Sequence, residues 1–330
     1  MFRNLINAQD FRYLARSIRS GRITRVFRRV LGGSRSAVQE AWNTTDNPPI
    51  QFWDIPAVHR RANLLVSGDS DTDYITYVAQ KYLSHRAPML GISLGCGTGQ
   101  KELAWARRCE FVRLDAYDLA PQRIAAAQAQ ASACGVNAVH FHVGDIYQLE
   151  WPTRHYDIVF ADQSLHHFSP LEPLCAHIRR ALKQDGYFVL NEYIGPARFQ
   201  WTDRQLEVVN GLLAILPAEY RVRWQDRTLK TSAHRPSRLN MILNDPSEAV
   251  ESERIIPTVE KHFHVIDRRD YGGAVIQLLF ADIAWKFQDD RSETRQLLAL
   301  CFQAEQTLMD LGYLPSDFAL LVCQPKADSA

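Results

Sequence analysis

The stretch GISLGCGTGQKE, residues 91 to 102, constrains the fold of this chain more than any other: a short apolar run stops in three glycines spaced two apart, Gly95, Gly97 and Gly99. Glycine adopts backbone angles that a Cβ forbids and lets a ligand approach the main chain closely. A helix starting at about Thr98 would turn free N–H groups and the positive end of its dipole toward that bend. Strand, tight turn and helix in this order open an α/β nucleotide-binding unit. The spacing also discriminates. A nicotinamide or flavin fingerprint reads GxGxxG, whereas here the third glycine comes one residue early, which disfavours a dinucleotide pyrophosphate and with it a dehydrogenase.

Downstream, short apolar runs alternate with helical patterns. Met89 to Leu94, Phe111 to Tyr117, Ala138 to Val143, Tyr156 to Ala161 and Tyr187 to Tyr193 read as strands. Leu171, Leu174, Cys175, Ile178 and Leu182 form a helical stripe that Asp185 and Gly186 are expected to end. Such alternation predicts right-handed crossovers and a doubly wound, mostly parallel sheet covered on both faces. After Tyr193, residues 202–216 read as a helix, 220–255 as an irregular charged insertion, His262 to Arg268 as a strand, Ala274 to Leu311 as a long helical region and Phe318 to Cys323 as the last strand. Upstream, residues 41–56 with Trp42, Pro48, Pro49, Trp53 and Pro56 read as a connector. A helix is expected from Asp71 or Thr72, burying Ile75, Val78, Ala79 and Tyr82.

With 330 residues, 46% of them hydrophobic and 23% charged, a packed core is expected. The sequence has neither an apolar run of membrane-spanning length nor an N-terminal apolar stretch with a cleavage site, so a cytoplasmic protein is expected. The six cysteines show no CxxC pair and read as reduced thiols. His140 with His142, and His262 with His264, share strand faces by alternation but have no third ligand at a recognisable spacing; no metal site is expected. The net charge of +1 hides an asymmetry, because residues 1–35 carry nine arginines against one acid, Asp10. In that arm Phe11, Leu14, Ala15 and Ile18, then Ile23, Val26, Phe27 and Val30, recur at helical spacing. Its apolar stripe either docks on the main domain or meets an anionic membrane surface or acidic partner.

Two aspartates follow the glycine turn at suggestive places. Asp118 ends the second strand 19 residues after Gly99, where a carboxylate can accept hydrogen bonds from both ribose hydroxyls; alone it would read as a cap for the helix after Pro121. Asp145 ends the third strand, placed to accept from an adenine amino group with Ile146 over the ring; alone it would be an ordinary turn aspartate.

Through GCGTG, YDLAP at 117–121, GDIYQL at 144–149 and YDIVFADQSLHHF at 156–168, the chain resembles the class I S-adenosylmethionine-dependent methyltransferases, firmly over residues 89–193 and loosely over 262–324. The resemblance implies a Rossmann-like sheet of seven strands with the last antiparallel. It implies S-adenosylmethionine as cofactor, its methionine part along Gly95, Gly97 and Gly99, its ribose on Asp118 and its adenine on Asp145 and Ile146. Ser93, Cys96, Leu119 and Asp162 complete the expected cofactor set. The family carries an acid two residues before the first glycine, and here Ser93 stands there, so a water or another group must meet the cofactor ammonium.

Methyl transfer from a sulfonium depends chiefly on holding the acceptor in line. A hydroxyl acceptor benefits from a base, and His166, His167 and Glu192 stand at the expected carboxyl edge of the sheet. Each also has a packing role as its bland alternative. Trp53, Tyr193, Arg198 and Trp201, with Tyr74, are expected to touch substrate; Arg198 suits an anionic group or, equally, a structural ion pair. Asn47, Pro48, Pro49 and Ile50 mimic an amino-methyltransferase signature but end in an aliphatic residue, and read as a turn.

The expected organisation is a basic arm (1–40), a substrate-covering segment (41–88) and a catalytic domain (89–330) with a further cover at about 196–260. The expected activity is O-methylation of a small molecule or glycan. N- or C-methylation, a nucleic-acid methyltransferase or binder using the arm, and a cofactor-binding scaffold without turnover are the rivals; the acidic remainder of the chain, 29 basic against 36 acidic residues, disfavours nucleic acid. Motifs around a cofactor encode neither the acceptor atom nor the oligomeric state.

Overall fold

The computed structural model describes residues 50–86 and 88–327, together with residues 9, 10, 38, 39 and 42. Most of the basic arm, and Asn47, Pro48 and Pro49, lie outside the described residues.

The strands form where apolar runs were predicted. They are β1 (Met89–Leu94), β2 (Phe111–Asp118), β3 (Val139–Val143), β4 (Tyr156–Asp162), β5 (Leu182–Tyr193), β6 (Phe263–Gly272) and β7 (Phe318–Pro325). They make one sheet in the order β3-β2-β1-β4-β5-β7-β6. The first five are parallel neighbours, and β7 runs antiparallel to both β5 and β6. Successive side chains of a strand point to opposite faces, which in β4 sends Ile158 and Phe160 into one apolar layer and Val159 and Ala161 into the other. Both faces are therefore covered, which explains near-continuous apolar strands such as β1.

Helices α1 (Pro56–Ser67), α2 (Tyr74–Val78), α3 (Gln100–Arg108), α4 (Pro121–Ala133), α5 (Leu171–Ala181), α6 (Asp203–Ile215), α7 (Arg238–Asn244), α8 (Ile255–His262), α9 (Ile276–Phe280) and α10 (Ser292–Asp310) connect or cover the strands. α5 and α8 pack on the layer holding Val159 and Ala161; α3, α6, α9 and α10 pack on the other. The predicted stripe of α5 is buried at Leu171, Leu174, Cys175 and Ile178, but the helix stops at Ala181 and Leu182 already belongs to β5, so Asp185 and Gly186 lie in the strand.

Two further expectations change. The long helical region from Ala274 to Leu311 is broken: α9 ends where Lys230 Nζ donates to the carbonyls of Leu278, Leu279 and Ala281, Asp282 adopts a left-handed φ of 66°, and α10 starts only at Ser292. The insertion at 220–255 is less irregular than its charge implies, since it contains α7 and a bridge between Val222 and Leu229. Periodicity also does not announce α1, which starts on Pro56 at its first turn and ends on a left-handed Gly68.

The segment before β1 is tied to the sheet edge by a single carboxylate. Asp73 caps α2 through Thr76 N–H, and the chain continues as a wider helical turn to Leu83. Tyr77 and Tyr82 hydroxyls and Lys81 Nζ then donate to Asp267 Oδ2 on β6 at 2.6, 2.7 and 3.0 Å, while Arg269 Nε pairs with Oδ1 at 2.9 Å. Burial works against the charge, but these donors prevail and hold the Asp267 carboxyl down at about 2.

A carboxyl lowered from 3.8 by folding stabilises the native state fully above 3.8, and the contribution disappears as pH falls through 2. Asp267→Asn is expected to lower Tm throughout neutral and mildly acidic buffers, with the deficit shrinking only between about pH 4 and 2. Thermal melts of both proteins across that range check it; a deficit independent of pH would mean that the charge contributes nothing.

Candidate active site

β1, α3, β2, α4 and β3 wind toward one edge of the sheet, whereas β4 and β5 lie on the other side of β1. The crevice beyond the carboxyl ends of β1 and β4 is the topological switch point, where open α/β sheets hold ligands.

The glycine turn fills one wall of that crevice. Gly95 and Cys96 N–H groups donate to the Tyr117 carbonyl at 2.8 and 3.0 Å, holding the turn against the end of β2. Gly95 and Gly99 lie at φ of 74° and 77°, in the region that side chains disfavour. A Cβ on Gly95 would come within 2.7 Å of Ser164 Cβ, and one on Gly99 within 2.6 Å of the Phe141 ring. α3 begins at Gln100, two residues later than Thr98.

Asp118 clamps the turn. Its Oδ2 accepts from Gly97 N–H at 2.9 Å and its Oδ1 from Ala120 N–H at 2.8 Å, so one carboxylate joins the glycine turn to the start of α4. Asp145 Oδ1 accepts from Tyr147 N–H at 2.9 Å, and Ile146 beside it is buried. Both carboxylates line a cavity of about 560 Å³, within the usual range for small-molecule sites. Of the predicted residues, Gly95, Asp118, Leu119, Asp145, Ile146 and His167 line it. Arg123, Tyr147, Gln163, Ser164 and Phe168 line it as well, as do Trp42, Pro246, Ser247 and Val250.

Ser93 is buried, and its hydroxyl donates to Glu102 Oε1 at 2.6 Å. The acid missing from position 93 is thus replaced in space by Glu102, one turn into α3, whose Oε2 has no partner among the described residues. Burial pushes this carboxyl up to about 7, against the pull of the Ser93 hydrogen bond. Asp162 at the end of β4 is similar. Burial and then the neighbouring Glu192 raise it to about 8, its Oδ2 lacks a hydrogen-bond partner among the described residues, and Lys101 Nζ is 3.9 Å away. Two buried carboxyl groups with open acceptor atoms, beside a turn that admits no side chain, suit a ligand carrying an ammonium.

The histidines are ordered by Glu192. Its Oε1 accepts from the N–H groups of Ser164 and Leu165 at 2.6 and 2.5 Å, and its Oε2 lies 2.7 Å from His166 Nδ1. Glu192 and His166 sit behind the cavity wall; His167 is on it, its Nδ1 3.3 Å from Ser247 Oγ. His166 Nε2 faces Glu248 Oε1 at 3.7 Å, and Asp245 Oδ2 is 4.0 Å from His167 Nδ1. Burial holds the His166 imidazole down at about 4, drives His167 below its usual value with His166 adding to the effect, and pushes Glu248 up to about 8. Burial thus disfavours the charged form of both imidazoles.

The five residues expected at the substrate, Trp53, Tyr74, Tyr193, Arg198 and Trp201, stand back from the cavity lining, Tyr74 against Trp105. Tyr193 is buried, its hydroxyl donating to the Pro196 carbonyl at 3.0 Å, and Trp201 is buried against Phe199. Trp53 packs on Phe52 and Phe318. Arg198 donates to the carbonyls of Pro246 and Glu248 at 2.6 and 3.0 Å, so its guanidinium holds the cover in place. Glu102, Asp245, Ser247 and Glu248 were not foreseen. Only Glu102 had a nearby signal, its place at the end of GISLGCGTGQKE; the others reach the site from the insertion.

A glycine turn at the switch point, with a carboxylate at or just past the end of each of the next two strands, is the geometry of a nucleoside-binding crevice. Residues 92–190 match the family described as "Methyltransferase domain". This segment is a class I S-adenosylmethionine-dependent methyltransferase domain, and S-adenosylmethionine is its cofactor. The chain is 27% identical over 140 residues to the uncharacterised methyltransferase YcgJ of Bacillus subtilis, 42% of this chain, and spans about half (52%) of that curated relative's length. Among solved structures it is similar to geranyl diphosphate C-methyltransferase from Streptomyces coelicolor (14% identity, 89% of this chain and 98% of that one, TM-score 0.48). It is also similar to an S-adenosylmethionine-dependent methyltransferase from Mesorhizobium loti (15% identity, 77% and 99%, TM-score 0.43). Among the described residues no helix is long and apolar enough to cross a membrane.

The Glu102 carboxyl, raised by folding from 4.5 to about 7, binds more protons in the native than in the unfolded state, so its contribution to stability falls as pH rises through that interval. Glu102→Gln keeps an acceptor for Ser93 and removes the titration. Its Tm relative to the unsubstituted protein is expected to rise from pH 4.5 to pH 8, as read by scanning calorimetry; a constant difference would place the carboxyl in an environment that does not resist its charge.

Proposed function

We propose that the chain transfers a methyl group from S-adenosylmethionine to a hydroxyl oxygen of a small molecule or glycan. The observation that carries this reading is that His167 lies on the wall of the same cavity as Asp118 and Asp145. Asp118 would hold the ribose hydroxyls and Asp145 with Ile146 the adenine. Gly95 and its neighbours would take the methionine part, with Glu102 behind Ser93 and Asp162 toward its ammonium. When bound, the cofactor supplies a methyl group on a sulfonium, and the electron pair of the breaking C–S bond stays on sulfur as the acceptor's bond to carbon forms.

The chain's own part is positioning and proton handling. A neutral imidazole at His167 is competent to accept a hydroxyl proton, and Ser247 Oγ beside Nδ1 fixes its orientation. His166 beneath it is held by Glu192, and Val250 N–H donates to the His166 carbonyl at 3.1 Å, which registers the cover against the base. Trp42, Pro246 and Val250 give the acceptor side of the cavity apolar walls, which fits a small molecule presented one hydroxyl at a time. The basic arm leaves a second reading, a nucleic-acid acceptor.

Asp118→Ala is expected to raise the dissociation constant for S-adenosylmethionine tenfold or more, roughly 1.4 kcal/mol, measured by calorimetry; an unchanged constant would misplace the ribose. His167→Gln should keep that constant and lose most turnover with a hydroxyl acceptor. Product from a methyl-13C cofactor should show an O-methyl resonance. An N- or C-methyl resonance, or binding to RNA that falls steeply with salt, would overturn the hydroxyl reading.

A further inference from the structure

The cluster at His166, His167 and Glu248 holds more ligating groups than a proton transfer needs. One ligand atom from each residue lies within 4.8 Å of the other two, and the group borders the cavity through His167. The three come from two places. The histidines follow β4, and Glu248 arrives from the insertion, about 80 residues later, on a loop fixed by Arg198. Sequence spacing alone offers no third ligand; the fold supplies it.

We infer that His166, His167 and Glu248 form a site for a divalent transition-metal ion of the zinc class, with open positions facing the cavity. Two imidazoles and one carboxylate are a donor set for zinc, cobalt or iron rather than magnesium, which takes oxygen ligands. The outer support for such a site is present. Metal-bound histidines usually give their other ring N–H to a carboxylate, and Glu192 Oε2 stands 2.7 Å from His166 Nδ1, leaving Nε2 aimed at Glu248. Glu192 is itself held by two backbone N–H groups, so the ring cannot turn away without losing its contact with a fixed carboxylate. Asp245 adds a further carboxylate 4.0 Å from His167 Nδ1. Three carboxyl groups, Glu192, Asp245 and Glu248, converge here, while the nearby Arg198 guanidinium donates to backbone carbonyls. Ligands of one ion at about 2.1 Å stand roughly 3 to 4 Å apart; His166 Nε2 and Glu248 Oε1 already meet this at 3.7 Å, and the widest separation, within 4.8 Å, has to close by about 1 Å.

The site stands on this geometry alone. Its use rests on the methyl-transfer reading: an acceptor hydroxyl in an open position would be oriented by the metal and made more acidic by it, and His167 would then serve as a ligand in place of acting as the base.

The test uses the full chain, free of any affinity tag and stripped with chelator. Titration with zinc chloride is expected to show one site per chain with a dissociation constant in the micromolar range or below. Cobalt chloride should give visible absorption bands of a site with fewer than six ligands. His166→Ala and Glu248→Gln should each weaken zinc binding at least tenfold, and Glu192→Gln should weaken it less. His262→Ala, at the partly exposed pair with Glu172, should change nothing. Absence of stoichiometric zinc binding, or binding indifferent to both His166→Ala and Glu248→Gln, overturns the proposal. S-adenosylhomocysteine affinity of each variant, measured in parallel, shows that the fold is intact and keeps failure of the metal site distinct from failure of the methyltransferase reading. Should His166→Ala not fold, Glu248→Gln carries the comparison.

Discussion

The buried carboxyl of Glu192 is the joint on which the acceptor side of this molecule depends. β5 brings it to the carboxyl edge of the sheet, where it meets the turn that follows β4. That turn leaves the N–H groups of Ser164 and Leu165 without strand partners, and buried N–H groups left unpaired are costly. Glu192 satisfies both and also orients His166. An acid with no exposed surface would be expensive on its own. Here its bonds are what make the end of β4 turn at Ser164 and deliver two adjacent histidines to opposite duties, one beneath the wall and one on it.

On the cofactor side Asp118 plays the corresponding part, by a different means. It is only half-buried, and it joins two N–H groups that a turn and a helix start would otherwise leave open. The same residue is thus a cap and a prospective ribose ligand. The two descriptions that compete at the level of sequence are one arrangement in space: a carboxylate that organises the loop already points its remaining lone pairs at the cavity.

The gathering of Gly95, Asp118 and Asp145 around one cavity was legible because its determinants are local. A glycine turn and an acid at the end of each of two following strands lie within 55 residues, and apolar runs of strand length fix their register. The acceptor half was not legible. Trp201 and Tyr193 were expected at the substrate, yet they are absorbed by packing against Phe199 and Phe318. Glu248, Asp245 and Ser247 carried no signal because their relation to His166 and His167 exists only once the insertion has folded back over the sheet. Glu102 lies between these cases. It was in plain view, but its direction depends on α3 starting at Gln100, so that one turn brings its side chain back to Ser93.

How the insertion is held in place says what kind of wall it is. Arg198, Phe199 and Ala249 all adopt left-handed φ angles, of 56°, 48° and 47°, and Arg198 N–H donates to the Ala249 carbonyl at 2.7 Å. Such angles cost non-glycine residues about 1 to 3 kcal/mol each, so they persist only where surrounding contacts determine them. Those contacts are the Arg198 guanidinium on the carbonyls of Pro246 and Glu248, Ser252 Oγ on the Gly195 carbonyl at 2.9 Å, and Val250 N–H on the His166 carbonyl. Strain paired with this many hydrogen bonds describes a cover that is locked over the acceptor pocket and not a lid that swings freely. On the methyl-transfer reading, selectivity among acceptors would follow from the shape of this preformed wall; the loop carrying Glu248 is held in register with the histidines by the Val250 N–H bond to the His166 carbonyl.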